Sequence, residues 1–213
     1  MSGVLPHLSK EVNKKWFENF MMEYKEKDIN KMSWEEFESL ANSLIKQVNV
    51  YFSSKGGKID LITPLHRTGG IVGGYMAIKM RIIPMLPVQF KHSFERIDQI
   101  SSLPEILVKI PENPNILFCE GNTSAGSVSK KAAKLIKEKY PNSKIYLATL
   151  AKVYGGPEEI EGIEKVFYGT LTNEGYKATD EEVKKLGLRK GITIFPWENT
   201  EEELKELNKC YES

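Results

Sequence analysis

The sequence predicts an α/β fold in which helices flank a central, mostly parallel β-sheet. Three short apolar runs, at residues 59–63, 116–119 and 145–150, have the length and composition of buried strands. Loops rich in small residues follow the first two runs, and each of these loops leads into a stretch with helical periodicity. Alternation of this kind is typical of parallel sheets, whose ligands bind at the carboxyl ends of the strands.

The composition limits the classes of partner. The 213 residues include 30 basic and 29 acidic side chains, a formal net charge of +1, which creates no general field for nucleic acid or an anionic membrane. Cys119 and Cys210 show neither metal-ligand spacing nor a disulfide framework. Because the sequence shows no export signal and no long apolar stretch, we expect a cytoplasmic protein with no nucleic-acid or membrane partner.

The chain begins with a predicted helical extension, residues 1–32. Apolar and aromatic residues recur at helical spacing over residues 9–27, a stripe more typical of packing than of a ligand site. A second helix is expected after Ser33, because Ser33 and Glu36 form a capping box. We expect the main domain to occupy residues 33–198, with a hood that includes residues 160–198, and a helical tail at 199–213.

The first strand leads into residues 64–70, Pro-Leu-His-Arg-Thr-Gly-Gly, which we name the arginine loop. The tandem glycines Gly69 and Gly70 would let the backbone approach a ligand closely, and Arg67 can reach a charged oxygen. His66 is a second candidate ligand group, although a surface or capping role explains it as well. A further strand is predicted at 82–90, followed by a polar connection at 91–115 that is either a lid or a solvated loop.

The most informative stretch is residues 116–129, Ile-Leu-Phe-Cys-Glu-Gly-Asn-Thr-Ser-Ala-Gly-Ser-Val-Ser, followed by a predicted helix at 130–140. A strand, a loop of small residues and a helix start together aim several backbone N–H groups at one point, where a phosphate can bind. Glu120, at the end of the strand, could hold sugar hydroxyls or a cation. An ordinary helix cap is the alternative reading. We name residues 122–129 the candidate phosphate loop.

This stretch resembles the PRPP-binding motif of type I phosphoribosyltransferases, in which an apolar strand, two acids and a loop of the form Asp-Thr-Gly-x-Thr lead into a helix. In an alignment on Gly126, Glu120 retains one acid. The positions that depart from the motif are Gly121, Ser124, Ala125 and Val128. The resemblance implies that PRPP binds along Asn122, Thr123, Ser124, Ala125, Gly126, Ser127, Val128 and Ser129, and that its pyrophosphate binds at Arg67, Thr68, Gly69 and Gly70.

Two further stretches are similar to the 6-oxopurine phosphoribosyltransferases. Residues 150–155, Leu-Ala-Lys-Val-Tyr-Gly, resemble the strand end where a lysine donates to the purine O6, which assigns that role to Lys152. Residues 192–198, Ile-Thr-Ile-Phe-Pro-Trp-Glu, resemble the Phe-Pro-Trp-Glu strand of the xanthine-guanine enzymes. That similarity implies that Ile192 and Trp197 lie at the base.

The resemblance implies a purine salvage reaction, in which 5-phosphoribosyl passes from PRPP to a purine-type base and pyrophosphate leaves. Glu120, Lys152 and Arg67 would be the catalytic residues, and Mg²⁺ would enter with PRPP and bind Glu120. The alternative is a non-catalytic or regulatory protein of the same fold that binds a nucleotide or PRPP. Loss of one acid of the pair and of the loop acid favours that alternative, whereas retention of Lys152, both glycine-rich loops and the purine-like C-terminal strand favours the enzyme. A homo-oligomer is compatible with either reading.

Overall fold

A computed structural model describes residues 24–82, 84–93, 96–174 and 178–209, except for the side chains of residues 92, 93, 96 and 209. Its main elements, in chain order, are β1 (Ile29–Lys31), α1 (Trp34–Ser54), β2 (Leu61–Pro64), α2 (His66–Met80), β3 (Phe90–Ser93), β4 (Arg96–Gln99), β5 (Asn115–Thr123), α3 (Ser127–Lys139), β6 (Lys144–Val153), β7 (Lys165–Asn173), α4 (Asp180–Leu186), β8 (Arg189–Lys190), β9 (Ile192–Ile194) and α5 (Thr200–Lys209). Of the helical stripe predicted at 9–27, residues 9–23 lie outside the described part, and Glu26–Asp28 is a single 3₁₀ turn.

The central sheet has five parallel strands in the order β2-β5-β6-β7-β8. The predicted α/β class is therefore confirmed, and the three strands expected from the apolar runs are neighbours in one sheet. Ile116 on β5 lies opposite Leu61 on one side and Ile145 on the other. The carboxyl ends of β2, β5 and β6 therefore meet at one edge, where the two glycine-containing loops begin.

Helices cover both faces of the sheet. On one face, α1 and α2 pack against alternate residues of β5 such as Leu117 and Cys119. On the other face, α3 packs against Ile116 and Phe118. Successive strand residues point to opposite faces, so the part of β5 between the two layers of helices, residues 116–119, is apolar at every position. This explains the uninterrupted apolar run seen in the sequence.

The start of α1 agrees with its sequence signal. The Ser33 hydroxyl oxygen accepts a hydrogen bond from the Glu36 N–H at 3.2 Å, which satisfies one of the free donors of the first turn. Phe37, Ala41 and Leu44 then follow at helical spacing and are buried against the sheet. The predicted cap and buried stripe are therefore both present.

The strand predicted at 82–90 is wrong. Residues there make two isolated bridges to the β2 region, at Met85 and Val88. The ladder is interrupted between them because Pro64 of β2 has no N–H to donate. Part of the connection predicted at 91–115 forms the antiparallel hairpin β3–β4. Lys131 of α3 donates to the Ile97 carbonyl within this hairpin, so this part of the connection rests on α3.

A small second sheet lies over the carboxyl edge of the first. β1 pairs in parallel with β9, with Ile29 opposite Ile192, and we name this pair the two-stranded cap. Residues 29–31, expected in a helical extension, are therefore a strand of the cap. Residues 165–173, expected within the hood, instead form β7 of the central sheet. No helix within the described ranges is long and apolar enough to cross a membrane.

Candidate active site

The candidate phosphate loop makes a tight turn from β5 into α3. Gly126 precedes the first residue of α3 and has a left-handed backbone, with φ of 71°. A Cβ atom there would lie 2.6 Å from the Ile160 side chain. Glycine therefore fits both the backbone angle and the space. Ser124, Ala125 and Ser127 are exposed around it, and the first N–H groups of α3 have no acceptor within the helix, which suits an anion.

Glu120 lies beneath this loop and is only 6% exposed. One carboxylate oxygen accepts the Thr123 hydroxyl at 2.5 Å and the other accepts the Ser129 hydroxyl at 2.9 Å. Burial raises the pKa of Glu120, and the bonds from Thr123 and Ser129 partly offset that rise. Because Thr123 ends β5 and Ser129 lies in the first turn of α3, Glu120 holds both ends of the turn together.

This geometry gives Glu120 a role that the sequence did not predict. Both of its oxygens hold the loop, and the expected contacts with Mg²⁺ and ribose hydroxyls stay predictions. Ser129 likewise directs its hydroxyl at Glu120 instead of a ligand. At Gly121 a Cβ atom would lie 3.0 Å from both Phe195 and Thr68, so a second acid has little room. Among the residues with described positions, no three His, Cys, Asp or Glu side chains form a metal site.

The arginine loop is shaped by packing as well as by any ligand. A Cβ atom on Gly69 would lie 2.1 Å from the Cys119 carbonyl oxygen, whereas one on Gly70 would have nothing within 4 Å. Close approach to a ligand therefore explains Gly70 at most, and Gly69 lets α2 lie against β5. His66 has a left-handed φ of 58°, a strained conformation for this residue. Its Nδ1 atom hydrogen-bonds the Phe90 carbonyl at 3.0 Å.

Arg67 is exposed at the start of α2 and lies among acids that follow the two-stranded cap. Burial raises the pKa of Glu198 and of Glu203, and the positive charge of Arg67 partly offsets both rises. Glu198 also accepts the Phe195 N–H at 2.9 Å. The positive charge of Arg67 therefore lies close enough to these two acids, beside the cap, to act on both.

The residues expected at the base lie on two different layers. Lys152, near the end of β6, is opposite Thr123 of β5 and Leu171 of β7, and its Nζ atom lies 5.7 Å from the centre of the Tyr168 ring. Ile192 is half-buried in the cap. Trp197 stacks on Phe195, with ring centres 5.1 Å apart, so its ring packs the cap onto the domain.

No family model and no curated protein matches the chain. Solved structures do. A purine phosphoribosyltransferase from Pyrococcus horikoshii superposes with a TM-score of 0.58 and 15% identity, over 81% of this chain and 95% of that one. The xanthine-guanine-hypoxanthine phosphoribosyltransferase of Helicobacter pylori gives 0.53 and 17%, over 84% and 99%. The chain has the type I phosphoribosyltransferase fold.

A third structure with this fold is a hypothetical protein from Neisseria gonorrhoeae with bound ppGpp, at a TM-score of 0.52 and 15% identity, over 86% of this chain and 96% of that one. Almost the full length of each of the three similar chains is therefore covered. The fold predicted from the motifs is confirmed, and at these identities the likeness concerns the fold alone.

On the phosphoribosyltransferase fold, one acid that the sequence motifs missed joins the loop to the cap. Glu174 directly follows β7. Its carboxylate accepts the Asn122 side-chain amide at 3.0 and 2.9 Å and the Thr193 backbone N–H at 3.2 Å. Burial raises the pKa of Glu174, and these bonds partly offset the rise. The signal that could have found it is the one that marked Glu120, an acid at the end of a buried strand.

The fold brings the predicted residues together at the carboxyl edge of the sheet in two groups. The candidate phosphate loop lies next to the start of α2, since a Cβ atom on Gly121 would lie 3.0 Å from Thr68. Lys152 lies opposite Thr123 in the sheet. Ile192 and Trp197 belong to the cap and approach this edge through Phe195, which also contacts Gly121. The cleft between the edge and the cap is the candidate active site.

Proposed function

We propose that this protein is a purine-type phosphoribosyltransferase, which transfers 5-phosphoribosyl from PRPP to a base nitrogen and releases pyrophosphate. The observation that carries the proposal is the loop from β5 to α3, whose left-handed Gly126 opens the helix start to an anion. Buried Glu120 holds this loop closed. The alternative, a protein of this fold that binds a nucleotide without turnover, becomes an outcome of the test.

Different residues bind each part of the two substrates. Backbone N–H groups of Ser127, Val128 and Ser129 bind the 5-phosphate, and the exposed backbone at Gly70 receives the pyrophosphate. The base nitrogen forms a bond to the ribose carbon while that carbon loses its bond to pyrophosphate, which departs with the electron pair. Lys152 donates to the carbonyl of the base. Because Ser124 replaces the loop acid, the proton of the base passes to solvent.

Glu120 acts in this scheme as a positioning residue that keeps the donors of α3 aimed at one point. The proposal gives Mg²⁺ no site on the protein, and the ion would enter as the counter-ion of PRPP and neutralise the charge of the leaving group. We place the reaction in the cytoplasm, where PRPP and free bases meet. A structure of this fold with bound ppGpp supports a purine nucleotide as a ligand of the cleft.

Calorimetric titration with PRPP and Mg²⁺, followed by turnover assays with guanine, hypoxanthine, xanthine and adenine, tests the proposal. Lys152→Ala should lower kcat/KM for the 6-oxopurines about tenfold or more, which corresponds to about 1.4 kcal/mol for a charge-assisted contact, with PRPP affinity unchanged. Lys144→Ala is the matched control, because Lys144 begins the same strand at its opposite end. Binding of PRPP without turnover of any base would instead identify the non-catalytic alternative.

A further inference from the structure

Glu174 occupies the junction between the two halves of the candidate active site. It contacts Asn122, the first residue of the candidate phosphate loop, and the N–H of Thr193, which follows Ile192 in the cap. One half of the site is expected to hold phosphoribosyl and the other to hold the base. A carboxylate that touches both halves lies where the bound base meets the protein.

This carboxylate lies among polar groups, and none of the ion pairs seen between described residues includes it. Burial raises the pKa of Glu198, and the negative charge of Glu174 adds to that rise. A buried carboxylate without a cation is costly unless hydrogen-bond donors surround it. Any ligand that enters beside Glu174 is therefore favoured if it brings N–H groups and disfavoured if it brings a carbonyl oxygen.

The carboxylate also has capacity for such a ligand. An ionised carboxylate offers about four lone-pair positions. Oε1 accepts from Asn122 and from the Thr193 N–H, and Oε2 accepts from Asn122. Burial raises the pKa of Glu174, and the Thr172 and Thr193 hydroxyls are among the groups that oppose this rise, so the positions open to a ligand are those that face Asn122. Asn122 is exposed, so its amide can turn aside and leave two parallel acceptor positions. Two adjacent N–H groups on a flat ring match that arrangement, as they do in other two-bond contacts with carboxylates.

We propose that Glu174 is a specificity-determining residue that selects a purine with an amino group at C2, so that guanine is preferred over hypoxanthine and both are preferred over xanthine. The inference rests on the proposed function. Lys152 donates to the oxygen at C6, and Glu174 accepts from N1–H and the 2-amino group. Hypoxanthine lacks the second donor, and xanthine places a carbonyl oxygen where Glu174 needs a donor.

The test compares Glu174→Gln with the unchanged protein, using guanine, hypoxanthine and xanthine as substrates. Glutamine is the same size, and its oxygen can still accept the Thr193 N–H, so the fold should persist. We expect the guanine to hypoxanthine ratio of kcat/KM to fall about tenfold, and the guanine to xanthine ratio to fall further. Glu198→Gln is the control, because Glu198 also accepts a backbone N–H following the cap strand, and it should leave both ratios unchanged.

The outcomes separate this inference from the proposed function. Turnover with base ratios that stay the same in Glu174→Gln, or that change equally in Glu198→Gln, overturns the selection by Glu174 and leaves the transferase intact. If no base turns over, calorimetry with GMP, IMP and XMP decides, because the same preference should appear in nucleotide affinity. Equal affinity for the three nucleotides, or binding of none, overturns the inference. A purely structural Glu174 would lower stability without changing any ratio.

Discussion

Two adjacent glycines at the start of α2 should respond in opposite ways to the same added methyl group. At Gly69 a Cβ atom would lie 2.1 Å from the Cys119 carbonyl oxygen, far inside the 3.4–4 Å of ordinary van der Waals contact. At Gly70 the same atom would meet nothing within 4 Å. Both positions are helical, so alanine removes the same backbone freedom from the unfolded chain at each.

The expected magnitudes follow from those distances. Alanine in place of helical glycine stabilises by about 0.5–1 kcal/mol, and Gly70→Ala should show that gain. Gly69→Ala should show the same gain offset by an overpacking cost of about 1–3 kcal/mol or more, because the obstacle is backbone and cannot turn aside. Because the gain is common to both, the two variants should differ in free energy of unfolding by about 1–3 kcal/mol or more, with Gly69→Ala the less stable.

Urea unfolding measures this difference as a shift of the midpoint at constant slope. PRPP affinity is the second measurement. The methyl group in Gly70→Ala lies in the open part of the arginine loop, so this variant should bind PRPP more weakly although it is more stable. Equal stabilisation by both substitutions would refute the close packing of α2 on β5. A stable Gly70→Ala with full PRPP affinity would refute the ligand approach at that position.

Three other outcomes follow from the candidate phosphate loop. Gly126→Ala should destabilise the protein by about 1–2 kcal/mol from its backbone angle alone. In a double-mutant cycle measured by urea unfolding, adding Ile160→Ala should recover part of the total loss. Additive effects of the two substitutions would contradict the contact between residue 126 and Ile160. Burial raises the pKa of Glu120 above 4.5. The free energy of unfolding of the wild type should therefore fall relative to that of Glu120→Gln as the pH rises above that value. Parallel stability curves for the two proteins would contradict the raised pKa. PRPP affinity should change less than tenfold in Glu120→Gln if the residue only positions the loop, and a larger loss would indicate direct contact with the ligand.

The strand-loop-helix unit around β5 was predictable because its signals are local. An apolar run buried on both faces, a glycine at a left-handed position and a helix start lie next to one another in the sequence. The direction of Glu120 was not predictable in the same way. An acid at a strand end can face outward or inward, and only the tertiary positions of Thr123 and Ser129 decide between the two.

Other features of the fold depend on contacts between residues that are far apart in the sequence, and the sequence did not predict them. The apolar content of residues 82–90 favoured a strand, but its ladder with β2 is interrupted because Pro64 on β2 has no N–H to donate. Residues 165–173 were predicted within the hood, whereas their place is fixed by pairing with β6. Gly69 gave the same local signal as Gly70, and the nearby β5 carbonyl alone separates their roles.

The pairing of β1 with β9 has a consequence for the order of events during synthesis. β2, β5, β6 and β7 all leave the ribosome before Ile192–Ile194, so most of the central sheet can assemble while the partner of β1 is still untranslated. The cleft can close only when these distant segments meet, a long-range contact that is slow to form. Under the proposed function, the binding site is therefore completed late in folding, and removal of either paired segment would leave the cap unformed.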